Sequence, residues 1–234
     1  MSLSVVMLNW KRPTNVRRIL DGLWQSPLVS EVIVWDNNPT TLSLDGKTKF
    51  IMSSEDMGLF TRFAAMSLAK NDAVLIQDDD LYLPHETIAA LYGSWQAGRY
   101  CIHGIFGRHL APGPGYSYHR SPSGPCPIVL TRAMICSREY AAWFFAALGR
   151  FRHLFDGSVP YGNGEDILLS YVAMAEYGQL NAAYDLPVKE LPSNDAICKR
   201  AGHNAHRTRI VQACEMWLET VQPAMDSERR YRKQ

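Results

Sequence analysis

A chain of 234 residues, 47% apolar and 20% charged, can bury one substantial core and reads as a single globular domain. With 24 basic against 23 acidic residues, a net charge of +1 gives no field that would gather nucleic acid. No run reaches the roughly 18 apolar residues that span a membrane. Met1–Leu8 has neither a basic leader nor a small-residue cleavage site, so the expectation is a cytoplasmic protein, or a soluble domain freed of its anchor.

Leu3–Leu8 is a short apolar run, as expected of a strand buried on both faces of a parallel sheet. Asn9 to Thr14 breaks it and opens a helix, with Thr14 or Asn15 as cap and Val16, Ile19, Leu20 and Leu23 at helical spacing. Glu31–Trp35 is a second apolar run, stopped at Asp36-Asn37-Asn38-Pro39. This β-α-β unit fixes an α/β class with a right-handed crossover. A short strand at Lys49–Met52 and a helix over Leu59–Leu68 follow. Asp72–Gln77 then forms a core strand, with Asp78-Asp79-Asp80 directly at its carboxyl end. Pro84 and Glu86 open a helix over Thr87–Gln96.

The texture changes at Tyr100. Cys101–Phe106 is strand-like, whereas repeated glycines and prolines make Gly107–Pro127 a long loop or β-ribbon. Ile128-Val129-Leu130 resumes a strand, Ser137–Leu148 reads as a helix, and Glu165-Asp166 opens another with Ile167, Leu168, Tyr171, Val172 and Ala175 on its apolar face. Beyond Asp185 the chain is loop until an amphipathic helix at Arg207–Thr220. The predicted architecture is a Rossmann-like three-layer α/β/α sandwich with a mostly parallel sheet. Within this single domain, one half runs to about residue 99 and the other covers 100–234.

The five cysteines, Cys101, Cys126, Cys136, Cys198 and Cys214, form no Cys-x-x-Cys pair and read as reduced, partly buried thiols; a Cys101–Cys136 bridge needs an oxidising compartment. His103, His109 and His119 make no spaced zinc set with them. Trp95, Trp143, Phe144 and Phe145 lie on helical stretches and read as core or interface. The basic end, Glu228 to Gln234, is a solvated tail or a contact for an anionic membrane surface or an acidic acceptor.

Three clusters carry chemistry. Adjacent carboxylates repel and lose solvation, so the Asp78-Asp79-Asp80 run calls for a cation, and hard oxygen ligands suit Mn²⁺ or Mg²⁺ shared with substrate phosphates. A solvated acidic turn is the plainer alternative. Placement at a strand's carboxyl end, where open α/β sheets bind ligands, favours the metal. Asp36, Asn37 and Asn38 end a strand on the same edge and offer donors and acceptors to a base or ribose, although Asp, Asn and Pro also suit a simple turn. In Gly162-Asn163-Gly164-Glu165-Asp166, the glycines allow close approach of a ligand and the acids sit at a helix start, which the helix dipole favours in any case. A departing nucleoside diphosphate needs cations. Arg12, Arg62, and Arg207 with His203 four residues before it are the candidates. Tyr116-Ser117-Tyr118-His119-Arg120, within the Gly/Pro segment, is a candidate flap over donor or acceptor.

Val5–Arg12 and then Val32–Asn38 resemble the opening of a GT-A glycosyltransferase. Asn71–Leu81, Gly107-Arg108-His109, Tyr116-Ser117-Tyr118, Asn163–Ile167, and His203 with Arg207 resemble, in order, the exostosin-like C-terminal transferase domain of glycosyltransferase family 64. The resemblance implies a GT-A fold and a retaining, Mn²⁺-dependent transferase that moves a sugar, typically N-acetylhexosamine, from a UDP-sugar to a carbohydrate acceptor. It implies Asp80 and Asp78 at the metal, with the acid run also serving the diphosphate. Asp166 is then the carboxylate beneath the sugar ring, Glu165 its neighbour, and Arg207 the residue that steadies the diphosphate. Arg12 and Arg62 match positions that contact nucleotide and phosphates. Glu165 departs from the family's usual Asp, and Met57 stands near an asparagine that usually helps bind the donor. An inverting transferase with Glu165 or Asp166 as general base, and a non-catalytic sugar-nucleotide or glycan-binding module, remain alternatives. A phosphohydrolase fits less well, because the chain lacks a phosphate-loop glycine pattern.

Overall fold

The computed structural model describes residues 2–37, 48–113, 115–158, 161–193 and 200–232, with side chains as far as residue 221. The chain begins β1 (Leu3–Asn9), α1 (Pro13–Gln25), β2 (Val29–Asp36), β3 (Thr48–Met52), α2 (Thr61–Ser67) and β4 (Ala73–Gln77). Next come β5 (Leu81–Tyr82), α3 (His85–Ala97), β6 (His103–Gly104), β7 (Gly107–Ala111), β8 (Gly115–Arg120), β9 (Gly124–Cys126), β10 (Ile128–Val129) and β11 (Ala133–Ser137). The rest is α4 (Tyr140–Phe155), α5 (Glu165–Tyr177), β12 (Asn181–Ala183), β13 (Lys189–Glu190) and α6 (His203–Arg232).

Eight strands form the central sheet in the order β3-β2-β1-β4-β11-β6-β12-β9. The first four are parallel to one another. Strand β1 lies between β2 and β4 and is buried along its whole length, which is why Leu3–Leu8 shows no polar alternation. Helix α1 turns Val16, Ile19, Leu20 and Leu23 to the core. It starts earlier than the Thr14 or Asn15 cap expected from sequence: Pro13 takes the first helical position and Arg12 precedes it without a side-chain cap bond. Proline suits that position because the N–H it lacks would go unpaired within the helix anyway, and its φ is already helical.

The second half departs further from the sequence reading. In place of a helix from Ser137, the chain first lays down β11, buried at all five residues and antiparallel between β4 and β6; the helix, α4, begins at Tyr140. Only His103 and Gly104 of the Cys101–Phe106 run are strand. Gly107–Pro127 is the β-ribbon alternative, with β7 and β8 pairing antiparallel. Strand β10 joins that ribbon rather than the main sheet. Helix α5 is buried from Glu165 through Ala175, packed among α4, α6 and β10. The last helix starts at His203, before the expected Arg207.

Cys101, Cys126, Cys136 and Cys214 are buried free thiols, so the Cys101–Cys136 alternative is not realised; Cys198 lies outside the described residues. Trp95 and Phe144 are buried in the core, whereas Phe145 is exposed. No described helix is long and apolar enough to cross a membrane. The basic C-terminal side chains, proposed as a membrane contact, lie outside the described residues, as does Asn38.

Candidate active site

Because β1, β2 and β4 run parallel, their carboxyl ends share one edge of the sheet, with Asn9 opposite Asp36 and Met7 opposite Gln77. The chain leaving these ends is Trp10-Lys11-Arg12, Asn37 and Asp78-Asp79-Asp80. These segments meet the start of α5 and the first turns of α6 around a cavity of about 530 Å³, a volume that suits a small-molecule ligand. Of the residues expected from sequence, Arg12, Asn37, Arg62, Asp78, Asp79, Asp80, Glu165, Asp166, His203 and Arg207 line it.

Two of the expected nucleotide contacts behave otherwise. Asp36 is fully buried and accepts a hydrogen bond from Asn9 Nδ2 at 2.8 Å, so it braces the strand ends instead of facing the cavity. His203 reaches the cavity, but burial first and then the Arg207 charge push its pKa down to about 4. It is therefore a neutral imidazole at physiological pH, not the cation expected beside a diphosphate. Its Nδ1 lies 2.5 Å from the Tyr118 hydroxyl, with the two rings stacked. Asn37 spends its amide on Gly58 O and Thr61 Oγ1, at 2.7 and 3.1 Å.

The acid run divides by environment. Asp79 is buried, accepts from the Trp10 N–H at 2.9 Å, and pairs with the Arg12 guanidinium. Burial pushes its pKa up to about 6 against the opposing pull of Arg12. Asp78 and Asp80 keep 27% and 16% of their side-chain surface, and both line the cavity. Asp80 has its pKa raised by burial and then by Asp78, while Arg132 and Arg12 act against that shift. Its Oδ1 is buried and accepts no hydrogen bond among the described residues; the Arg132 Nη2 stands 3.6 Å away. Arg62 is almost wholly buried and bridges Asp78 at 3.1 Å and Glu165 at 3.5 Å.

The start of α5 builds a further part of the cavity, joined to the acid run through Arg62. Gly164 precedes that helix at φ +101°, and a Cβ there would stand 2.4 Å from Ile210 Cδ1. Glycine thus lets α6 close onto the helix start. Asp166 accepts two hydrogen bonds from Arg207 Nη2, each 2.8 Å, and the guanidinium lies over the Tyr116 ring at 4.3 Å. Glu165 accepts from Thr131 Oγ1 at 2.9 Å. Burial, then the neighbouring Asp166 charge, raise its pKa to about 7, with Arg62 and Arg207 opposing.

These residues suit a divalent cation. Two carboxylates present hard oxygens to one cavity, one of those oxygens lacks a hydrogen bond, and guanidinium groups supply the positive charge around them. No three described His, Cys, Asp or Glu side chains form a metal cage, so such a cation would draw its remaining ligands from water and from substrate oxygens, as Mg²⁺ and Mn²⁺ do with phosphates.

The Glycosyl transferase family 64 domain matches residues 3–231, from the first strand into the last helix. The chain belongs to glycosyltransferase family 64. Among relatives of this family 64 domain, the Exostosin-like-3 homolog of Caenorhabditis elegans is 28% identical over 177 residues, covering 72% of this chain and 21% of that protein. The chain thus spans about a fifth of that relative's length. Similar solved structures include GalNAc-T7 with UDP, GalNAc and Mn²⁺ (TM-score 0.57, 12% identity, 83% of this chain and 44% of that one). The mannosyltransferase PcManGT from Pyrobaculum calidifontis, with GDP-Man and Mn²⁺, gives a TM-score of 0.51 at 16% identity over 79% of this chain and 54% of that one. S. aureus TarS 1–349 gives 0.52 at 17% over 80% and 60%. At such identities the likeness establishes the fold, which is GT-A.

The family 64 cavity also includes Asp56, Arg132, Glu190, Ser193 and Arg200, which the sequence does not single out. Ser193 accepts from Arg12 Nη2 at 2.7 Å. Strand β13, carrying Glu190, pairs with β5 just after the acid run. For Arg132 a signal existed: it follows an apolar run at Ile128-Val129-Leu130, as Arg12 follows β1. Asp56, Ser193 and Arg200 come from irregular chain and Glu190 from a two-residue strand, where no periodicity marks them.

Proposed function

We propose that this domain transfers a sugar, N-acetylhexosamine by its family resemblance, from a UDP-sugar to a carbohydrate hydroxyl with retention of configuration. The observation that carries the reading is one cavity lined by both the Asp78/Asp80 pair and the buried Asp166–Arg207 pair. That spacing of roles suits a donor lying across the cavity, diphosphate toward the acid run and sugar toward α5. Asp78 and Asp80 hold the cation, and a bound Mn²⁺ or Mg²⁺ would neutralise charge developing on the leaving diphosphate. Asn37, at the end of β2, lies toward the nucleoside, and Arg12, which keeps Asp79 in place, borders the diphosphate.

Asp166 stabilises positive charge growing on the sugar ring, and Arg207 fixes its orientation. Retention then follows if the leaving phosphate oxygen takes the acceptor's proton on the face it departs from. Both bonds from Arg207 Nη2 engage Asp166, which ties that carboxylate to a cation instead of an acceptor hydroxyl and favours retention over inversion through Asp166. A UDP-sugar panel with Mn²⁺, followed by UDP release and by NMR of the product anomer, tests the reading. Transfer with inversion would move Asp166 or Glu165 into the role of base. UDP binding without hydrolysis or transfer would mark a binding module.

A further inference from the structure

Of the arginines that line the cavity, Arg12, Arg62 and Arg207 are firmly engaged. Arg12 pairs with Asp79 and donates to Ser193. Arg62 is wedged between Asp78 and Glu165. Arg207 is bound to Asp166. Arg132 differs. Its side chain keeps 30% exposure and rests on the Phe106 ring at 4.5 Å. Its close partner is Glu190 Oε2 at 2.7 Å, on a side chain 62% exposed, and such a water-facing ion pair contributes little net stability.

The backbone holds this arrangement against the acid run on both sides. The Asp78 N–H donates to Arg132 O at 3.0 Å, and the Leu191 N–H, next to Glu190, donates to Asp80 O at 2.8 Å. Arg132 Nη2 stands 3.6 Å from Asp80 Oδ1, where it partly takes the place of a metal cation. A divalent ion held by Asp80 would repel it, unless an anion came between them. The anion that arrives with the ion is a diphosphate.

We infer that Arg132 is a diphosphate-binding residue, parked on Glu190 and Asp80 until a nucleoside diphosphate arrives and takes over its guanidinium. Arginine's planar fork suits the change of partner, because it fits a carboxylate and a phosphate alike. Glu190 sets the opposing bias by competing with the phosphate for Arg132. The inference rests on the donor site proposed above.

The experiment is calorimetric titration of the purified chain with Mn²⁺ alone, and with UDP at saturating Mn²⁺, for wild type, Arg132→Ala and Glu190→Gln. Arg132→Ala should bind Mn²⁺ alone several-fold more tightly, because a competing cation leaves Asp80. It should bind UDP about tenfold or more weakly, as expected when a charge-assisted hydrogen bond is lost. Glu190→Gln, a change at an exposed side chain, should bind UDP several-fold more tightly. Structural damage would weaken both ligands in Arg132→Ala, so that result overturns the inference, as does unchanged UDP binding by either variant. A wild-type chain that binds no UDP in the presence of Mn²⁺ overturns the donor site and this inference together, whereas failure of the variants alone overturns only the role of Arg132.

Discussion

Asp166→Asn separates a structural from a catalytic role in one residue. The Asp166–Arg207 pair is buried to 7% and 6% side-chain exposure and joined by two 2.8 Å bonds from one nitrogen. Taking away the carboxylate charge leaves a buried guanidinium under-compensated. Breaking a buried pair from one side costs about 3–5 kcal/mol, and the retained amide oxygen keeps the loss near the lower figure. In a chain of this length that is a fall in Tm of about 6–12 °C. Glu165 softens the loss in one pH range only. Its pKa is raised partly by Asp166, so the substitution lowers that pKa, and an ionised Glu165 then helps to balance Arg207. The Tm deficit should therefore be larger at pH 6 than at pH 8. Thermal denaturation across pH gives the stability, calorimetry gives UDP·Mn²⁺ affinity, and UDP release gives turnover. Expected are a lower Tm, near-native UDP affinity and a loss of turnover of at least about a hundredfold, as for a lost electrostatic stabiliser. A wild-type Tm with wild-type turnover would refute the reasoning, as would a loss of UDP affinity as deep as the loss of turnover.

Asp80→Asn should remove Mn²⁺-dependent UDP binding by calorimetry while leaving the metal-free Tm unchanged or higher, since burial and Asp78 already oppose its charge. Glu165, at about 7, and Asp79, at about 6, both titrate above the ordinary carboxylate range. The folded chain therefore binds more protons than the unfolded chain between about pH 4 and 7, and these two groups make stability fall as pH rises through that window. Glu165→Gln should flatten that fall in denaturant titrations; an unchanged slope would show that Glu165 does not titrate there. Gly164→Ala meets a left-handed φ and Ile210 Cδ1 at 2.4 Å, and should cost about 1–3 kcal/mol in chemical denaturation. Adding Ile210→Val should recover only part of it, because the φ strain remains.

The sequence discloses the fold best where burial is uniform. Leu3–Leu8, Val32–Val34 and Ala73–Gln77 lie in parallel core strands, and their apolar runs carry no competing helical period. Strand β11 is hidden because Met134-Ile135-Cys136 is a short run without alternation, lying between Ile128-Val129-Leu130 and the polar Ser137-Arg138-Glu139 that reads as a helix start. The ribbon around Gly107–Pro127 is legible only as irregularity, because its pairing depends on partners distant in the chain. In the site, the carboxylates are conspicuous because acids seldom follow a buried strand without cause. What sequence cannot supply is each group's electrostatic surroundings. Asp36 turns to Asn9, burial and Arg207 keep His203 neutral, and Arg12 takes up Asp79, leaving Asp78 and Asp80 at the cavity. Glu190 and Ser193 become visible only when the 188–193 segment folds back beside the acid run.

The most direct test of the central claim is calorimetric titration of the wild-type chain with UDP, with and without Mn²⁺, paired with UDP release from a panel of UDP-sugars. The account predicts UDP binding that requires the metal, and UDP release from at least one sugar nucleotide. A chain that binds no nucleotide, with or without metal, would contradict it.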